Sequence, residues 1–288
     1  MKATRKLIPA LALLLVSAVL LSTASYAWFT TNTTVTATTS VSVTAPENLQ
    51  ISKAPEGAGN YSWVTAIDLK DIDPIRPASS VDGSNFYYLG TTATLDNIID
   101  DTNYVLDEDT GNVYAATDTS KVSALGKATV VPTDDMGQYV YTDTLYLLSG
   151  NDVAKTDSEM ELGLNVDISA GTDPGVSANL MNALRVAITI DGTTFIYAVG
   201  NAAGEKAITK VGEKFDTNAL TTTVYDISAT AASVLTGITL DAGSAKMVTV
   251  SIWYEGNDND CVSKNVTIAN EIEVVLSFVL VKKVASGT

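Results

Sequence analysis

Residues 34 to 45 alternate without a break. Val35, Ala37, Val41, Val43 and Ala45, with Thr39, occupy one parity; Thr34, Thr36, Thr38, Ser40, Ser42 and Thr44 occupy the other. A period of two places successive side chains on opposite faces of an extended chain, so this is a half-buried strand with an apolar and a hydroxyl face. The same period recurs along the sequence. Tyr139, Tyr141, Leu145 and Leu147 alternate, as do Leu162, Leu164, Val166 and Ile168. Leu184, Val186, Ile188 and Ile190 follow, then Asp191-Gly192 and a new run from Thr194 to Val199, which predicts a tight hairpin. Asn103 to Ala116 reads as another hairpin around Asp109-Thr110-Gly111. Val248, Val250, Ile252 and Tyr254 form one late strand. Ile272, Val274, Leu276, Phe278 and Leu280 form the last, with Val275, Val279 and Val281 on its second face. Helix signals are confined to Ser177–Leu184 and Ala229–Leu235.

Many strands separated by Gly, Asn and Asp turns predict an all-β fold, an antiparallel jelly-roll-like β-sandwich. Such a sandwich runs to ~250 residues as one domain, so residues 28–288 are read as a single β-sandwich domain. The polar, turn-rich stretch 83–135 is read as an insertion of hairpins.

Composition removes whole classes of chemistry. The 288 residues contain no His and one Cys. That excludes Ser-His-Asp and Cys-His pairs, His-ligated zinc and an internal disulfide. A net charge of −16 argues against partners bound through phosphates, so no nucleic acid is expected. No catalytic residue and no obligatory cofactor are expected, and the chain is not read as an enzyme.

The N-terminus has the form of a secretory signal: basic Lys2, Arg5 and Lys6, an apolar run from Leu7 to Leu21, then small residues. Cleavage fits after Ala24 or after Ala27, and the Ala27–Trp28 bond is preferred. Residues 1–27 are therefore the signal peptide, the chain is expected to be secreted, and it meets a membrane only before cleavage. Three of the 17 basic residues leave with the signal, so 14 face 33 acidic residues and the mature charge is −19. The alternative, an uncleaved anchor, would barely span the ~30 Å hydrocarbon layer.

At that junction Ala27-Trp28-Phe29-Thr30-Thr31-Asn32 resembles the start of mature proteins of the TasA/camelysin family, exported by Gram-positive bacteria through a SipW-type signal peptidase. The Thr/Ser-rich β-segment 33–45 and the closing strand Glu271–Lys283 resemble the family's as well; between them only the strand pattern is similar. The resemblance implies a jelly-roll subunit of extracellular fibres in a biofilm matrix or at the cell surface. It further implies a head-to-tail homopolymer with signal peptidase as export partner. Residues 28–45 would be the donor strand, completing the sheet of the next subunit through Val35, Ala37, Val41, Val43 and Ala45. The alternating stripe gives a physical motive, because an uncharged edge with unpaired backbone groups invites another chain. The competing expectation is that the strand pairs within its own domain.

A second functional reading is a monomeric cell-surface adhesin or glycan-binding module, in which Trp63, Trp253, Tyr254 and Tyr87-Tyr88 form an aromatic platform. A third centres on Glu255-Gly256-Asn257-Asp258-Asn259-Asp260, where Asn257, Asp258 and Asp260 are candidate calcium ligands. The EF-hand spacing is not met, and a polar turn is the plainer reading. Cys261 is read as a buried filler, with an intermolecular bridge as the alternative.

Overall fold

The computed structural model describes residues 41–45, 48–53, 61–69, 75–90, 104–115, 126–169, 181–199, 206–227, 232–258, 261 and 273–283. In chain order the first strands are β1 Val41–Thr44, β2 Leu49–Lys53, β3 Ala66–Asp68, β4 Tyr87–Gly90, β5 Tyr104–Leu106, β6 Asn112–Ala115 and β7 Gly126–Val130. After a short 3-10 turn at Thr133–Gln138 come β8 Tyr141–Ser149, β9 Met160–Ser169, β10 Leu184–Ile190 and β11 Thr193–Ala198. The series ends with β12 Lys206–Val211, β13 Lys214–Ala219, β14 Thr223–Asp226, β15 Ser233–Val234, β16 Lys246–Tyr254 and β17 Glu273–Lys282. The fold is all-β.

Two large sheets carry the architecture. One has the order β15-β9-β17-β1-β3, the other β14-β11-β10-β16-β8-β2. Alternation decides which side chains meet between them. Val43, Leu162, Leu164, Leu276 and Phe278 from the first sheet share one buried cluster with Leu145, Leu147, Val186, Ile188, Val250 and Ile252 from the second. The six-stranded sheet is also covered on its other face. There Ala187, Ile196 and Trp253 pack with Ala78, Phe86, Val131, Tyr139 and Val140. Consequently β10 is buried on both faces, which explains its nearly unbroken apolar run.

Turn chemistry sets the registers. Asp191 (φ 51°) and Gly192 (φ 77°) join β10 to β11. Two consecutive positive φ angles make the primed turn that matches strand twist, as the Asp-Gly pair predicted. The hairpin expected around Asp109-Thr110-Gly111 forms from β5 and β6. On β17 the second face is half-buried: Val279 and Val281 lie so close over Gly163 that a Cβ there would meet Val281 Cγ2 at 2.6 Å.

The edges are short or stitched. Val64 exchanges both backbone hydrogen bonds with Ile51 of β2 (2.7 and 2.9 Å), while the next residues, Ala66–Asp68, pair with β1 in the other sheet. One segment thereby closes one side of the core. On the opposite side, the Tyr225 hydroxyl of β14 donates to the Val234 carbonyl of β15 at 2.5 Å. Ala229–Leu235, expected as a helical turn, instead contains β15: Ser233 and Val234 pair with Leu164 and Gly163. Residues 177–180 of the other expected helix lie outside the described residues; Met181 and Asn182 are helical, and Leu184 opens a strand.

Within 83–135, β4 to β7 form a separate four-stranded antiparallel sheet. The hairpin β12–β13 docks against it, with Tyr87, Ala128, Ile208 and Phe215 sharing a small core.

Candidate functional site

Two regions carry the candidate residues: the N-terminal strand with its neighbours, and the loop after β16.

Of the expected donor residues, Ala27, Trp28, Val35 and Ala37 lie outside the described residues. Val41, Val43 and Ala45 lie inside. β1 runs parallel to β17, Val41 to Thr44 opposite Val274 to Ser277, and antiparallel to β3. Val43 and Ala45 are fully buried in their own core, the Thr44 hydroxyl donates to Ser277 Oγ at 3.0 Å, and Ala45 N–H donates to Thr65 O at 2.9 Å. This end of the segment is therefore held by its own chain, through apolar burial on one face and a ladder on each edge.

The pairing stops early on one side. β17 pairs with β9 along its whole length, Glu273 to Lys282, but with β1 only as far as Ser277. Among the described residues, Phe278 to Lys282 have no ladder partner on the β1 side. Phe278 is buried, Val279, Leu280 and Val281 are half-buried, and Lys282 is exposed. A half-paired apolar strand end is a template for another extended segment.

In the loop after β16, Asn257 and Asp258 do not converge on a cation position. The Asp258 carboxylate faces the Arg185 guanidinium, Nη2 to Oδ2 at 2.6 Å, with both side chains buried. The Asn257 amide donates to the Lys206 carbonyl. Asp260 lies outside the described residues. Where a calcium ion would be placed beside Asp258, a guanidinium already sits. Among the described residues no group of three or more Asp, Glu or Cys side chains is arranged to hold a metal.

Glu255 is the centre of this junction and was not singled out by spacing. Its carboxylate is buried and collects donors: Trp253 Nε1–H (3.2 Å) and Ser80 N–H (3.1 Å) on Oε2, Asn257 N–H (3.0 Å) on Oε1, and the Ser79 hydroxyl. Ser79 Oγ in turn accepts from Ile208 N–H at 2.6 Å. Backbone bonds reinforce the joint: Ala78 N–H to Tyr254 O (3.0 Å), Gly256 N–H to Ala78 O (2.8 Å) and Glu255 N–H to Ala183 O (2.8 Å). The six-stranded sheet is thus tied to residues 78–80 and to β12. Burial pushes the Glu255 carboxyl above its ordinary range, against the pull of Ser79, Arg185 and the Asn257 and Ser80 amides. Burial also pushes the Tyr254 phenol up to about 12. It raises the Cys261 thiol as well, helped by the nearby Glu255 and Asp258 charges, so Cys261 stays a neutral, buried filler. The chemistry of this cluster is structural.

The five expected platform aromatics do not share a surface. Trp253 and Tyr87 are buried, Tyr254 is half-buried, and Tyr88 packs on Tyr139 with ring centres 4.8 Å apart. Trp63 lies instead beside two rings that the sequence reading passed over, Tyr61 (5.0 Å, stacked) and, beyond it, Tyr146 (5.1 Å from Tyr61, edge-on).

The buried pair makes a stability prediction. Arg185→Met strands the Asp258 carboxylate and costs ~3–5 kcal/mol, read as a lower urea midpoint; adding Asp258→Leu recovers much of it. The Glu255 shift predicts a pH dependence. A carboxyl whose folded pKa is raised stabilises the fold below its unfolded pKa, and that contribution is lost as pH rises through the folded value. The stability of the wild type relative to Glu255→Gln therefore falls as pH rises from the ordinary carboxyl range through the raised folded value; a flat or rising difference contradicts the assignment. Compared with known protein families, with curated proteins and with solved structures, the chain matches none.

Proposed function

We propose that this chain is a secreted, non-enzymatic structural subunit of extracellular or cell-surface fibres of the biofilm-matrix kind. It folds as a jelly-roll-like β-sandwich after removal of signal residues 1–27 by a signal peptidase, and it polymerises head to tail by donating its N-terminal segment to the next copy.

The observation that carries this reading is the half-paired end of β17. Residues 278–282 lack a ladder partner beside β1 among the described residues and present half-buried valines and a leucine. An uncharged segment of alternating Val, Ala and Thr is the kind of strand that such an edge accepts. Because Val43 and Ala45 are core residues of their own chain, the donated part is upstream of β1. On this reading residues 28–40 are the donated strand, and Val41–Ala45 are its root. A strand donated in one direction without closure generates a filament. The similarity of Ala27-Trp28-Phe29 and of the closing strand to the TasA/camelysin family supports the same reading.

Removing residues 28–40 is expected to leave a folded, soluble, monomeric domain, while the otherwise identical chain beginning at Trp28 forms filaments visible by negative-stain electron microscopy. Removing residues 28–45 is expected to lower stability as well, because it empties the β1 slot. Filaments formed at normal yield without residues 28–40 contradict strand donation.

A further inference from the structure

We propose that the outer face of the six-stranded sheet, over β2, β8 and β16, is a binding surface for neutral polysaccharide. The inference does not rest on polymerisation, since this face belongs to the six-stranded sheet and not to the sheet of β1 and β17.

Strand register assembles the surface. Thr194 pairs with Thr189, Thr189 with Thr249, and Thr249 with Thr144, giving a row of four threonines across β11, β10, β16 and β8. Their parity is opposite to Ile188, Val250 and Leu145, which face the inter-sheet core. All four threonines are half-exposed. In the next row, Ser52, Tyr146 and Met247 lie side by side across β2, β8 and β16. Beside them stand Tyr61 and Trp63. Their segment is pinned by Ser62 N–H to Ser52 Oγ (3.0 Å) and by the Ile51–Val64 bonds, so the rings are held in place before any ligand arrives.

Charge identifies the partner. The chain carries −16, yet the residues of β2, β8 and β16 that point away from the inter-sheet core and are not buried (Gln50; Thr142, Thr144, Tyr146 and Leu148; Met247 and Thr249) include no charged side chain. A basic protein would be drawn to the acidic remainder of the surface rather than here, and an acidic polymer would be repelled by it. Aromatic rings beside fixed hydroxyls are the combination that suits a pyranose chain: apolar C–H faces stack on the rings, and equatorial hydroxyls exchange hydrogen bonds with threonines. The inter-strand repeat of ~4.8 Å is close to the length of one pyranose unit in an extended glycan, so successive threonines stand about one sugar apart; the Thr189 and Thr194 hydroxyls bond each other at 2.9 Å, which holds that part of the row in place.

Depletion of the full chain from solution by cellulose, by chitin and by β-1,3-glucan particles tests this, each read against a spin without polymer. Saturable depletion by at least one polymer is expected, with about tenfold weaker binding in Trp63→Ala, the loss of one stacked ring. Met247→Lys tests the same face without touching the fold, since Met247 is 54% exposed, and a comparable weakening is expected. No depletion by any of the three overturns the proposal, as does binding unchanged in both variants. A Met247→Lys chain whose sedimentation changes while its polysaccharide binding does not identifies the face as a self-contact instead, and also overturns it.

Discussion

The five-stranded sheet depends on a parallel pairing between opposite ends of the chain. Val41–Thr44 lie beside Val274–Ser277, and Val43 fills the core beneath them. Parallel neighbours have slanted hydrogen bonds and cannot be joined by a tight turn. Here nearly the whole domain is the connection, so the pairing has a very high sequence separation and its closure is entropically late. During synthesis, the N-terminal segment must wait for β17 before its sheet exists. That wait is a physical opening for pairing in trans, and it connects the order of folding to the proposed assembly. Once the sheet is closed, Val43 and Ala45 are fixed by burial, so under the proposed assembly the donated part is the segment upstream of β1.

The six-stranded sheet is organised differently. Its central strands are covered on both faces, and at one end the second cover is fastened by polar groups. Arg185 and Asp258 neutralise each other in the interior, and Glu255 gathers donors from Trp253, Ser79, Ser80 and Asn257. An apolar core would tolerate slippage of the 78–80 segment against β16. A buried carboxylate with directed donors does not, because each misplaced donor is left without a partner. Among the described residues, the other end of this face is uncharged and half-exposed, with the threonine row and the Tyr61–Trp63–Tyr146 cluster on it. Fibre formation and glycan contact would then use different sheets, compatible with a matrix subunit that polymerises and also adheres.

Legibility followed sequence distance. β8, β9, β10, β11, β16 and β17 were readable because each alternates over a long run, and the Asp191-Gly192 turn because its chemistry is local. Ala229–Leu235 was misread: a strand of two residues shows no period, and Ser233–Val234 become a strand only by pairing with β9. The hairpin β12–β13 was passed over because Lys206 to Ala219 mixes charged and apolar residues at both parities; Gly212, at φ 63°, was its one local signal. The Arg185–Asp258 contact could not be found by spacing, since the partners are 73 positions apart. A lone arginine inside the apolar run Leu184–Ile190 was the available hint that a buried acid would answer it. Of the alternating stripe only Val41–Thr44 falls within the described strands, and alternation is the same whichever chain supplies the neighbour.

The central claim is that the half-paired end of β17 receives a neighbour's strand. Hydrogen–deuterium exchange resolved to peptides, comparing dispersed and assembled protein, measures this directly. Strand addition predicts that amides within Phe278–Lys282, and within residues 33–40, become protected on assembly while β8 and β10 stay as they were. Fibres in which Phe278–Lys282 exchange as fast as in the dispersed chain would contradict the account.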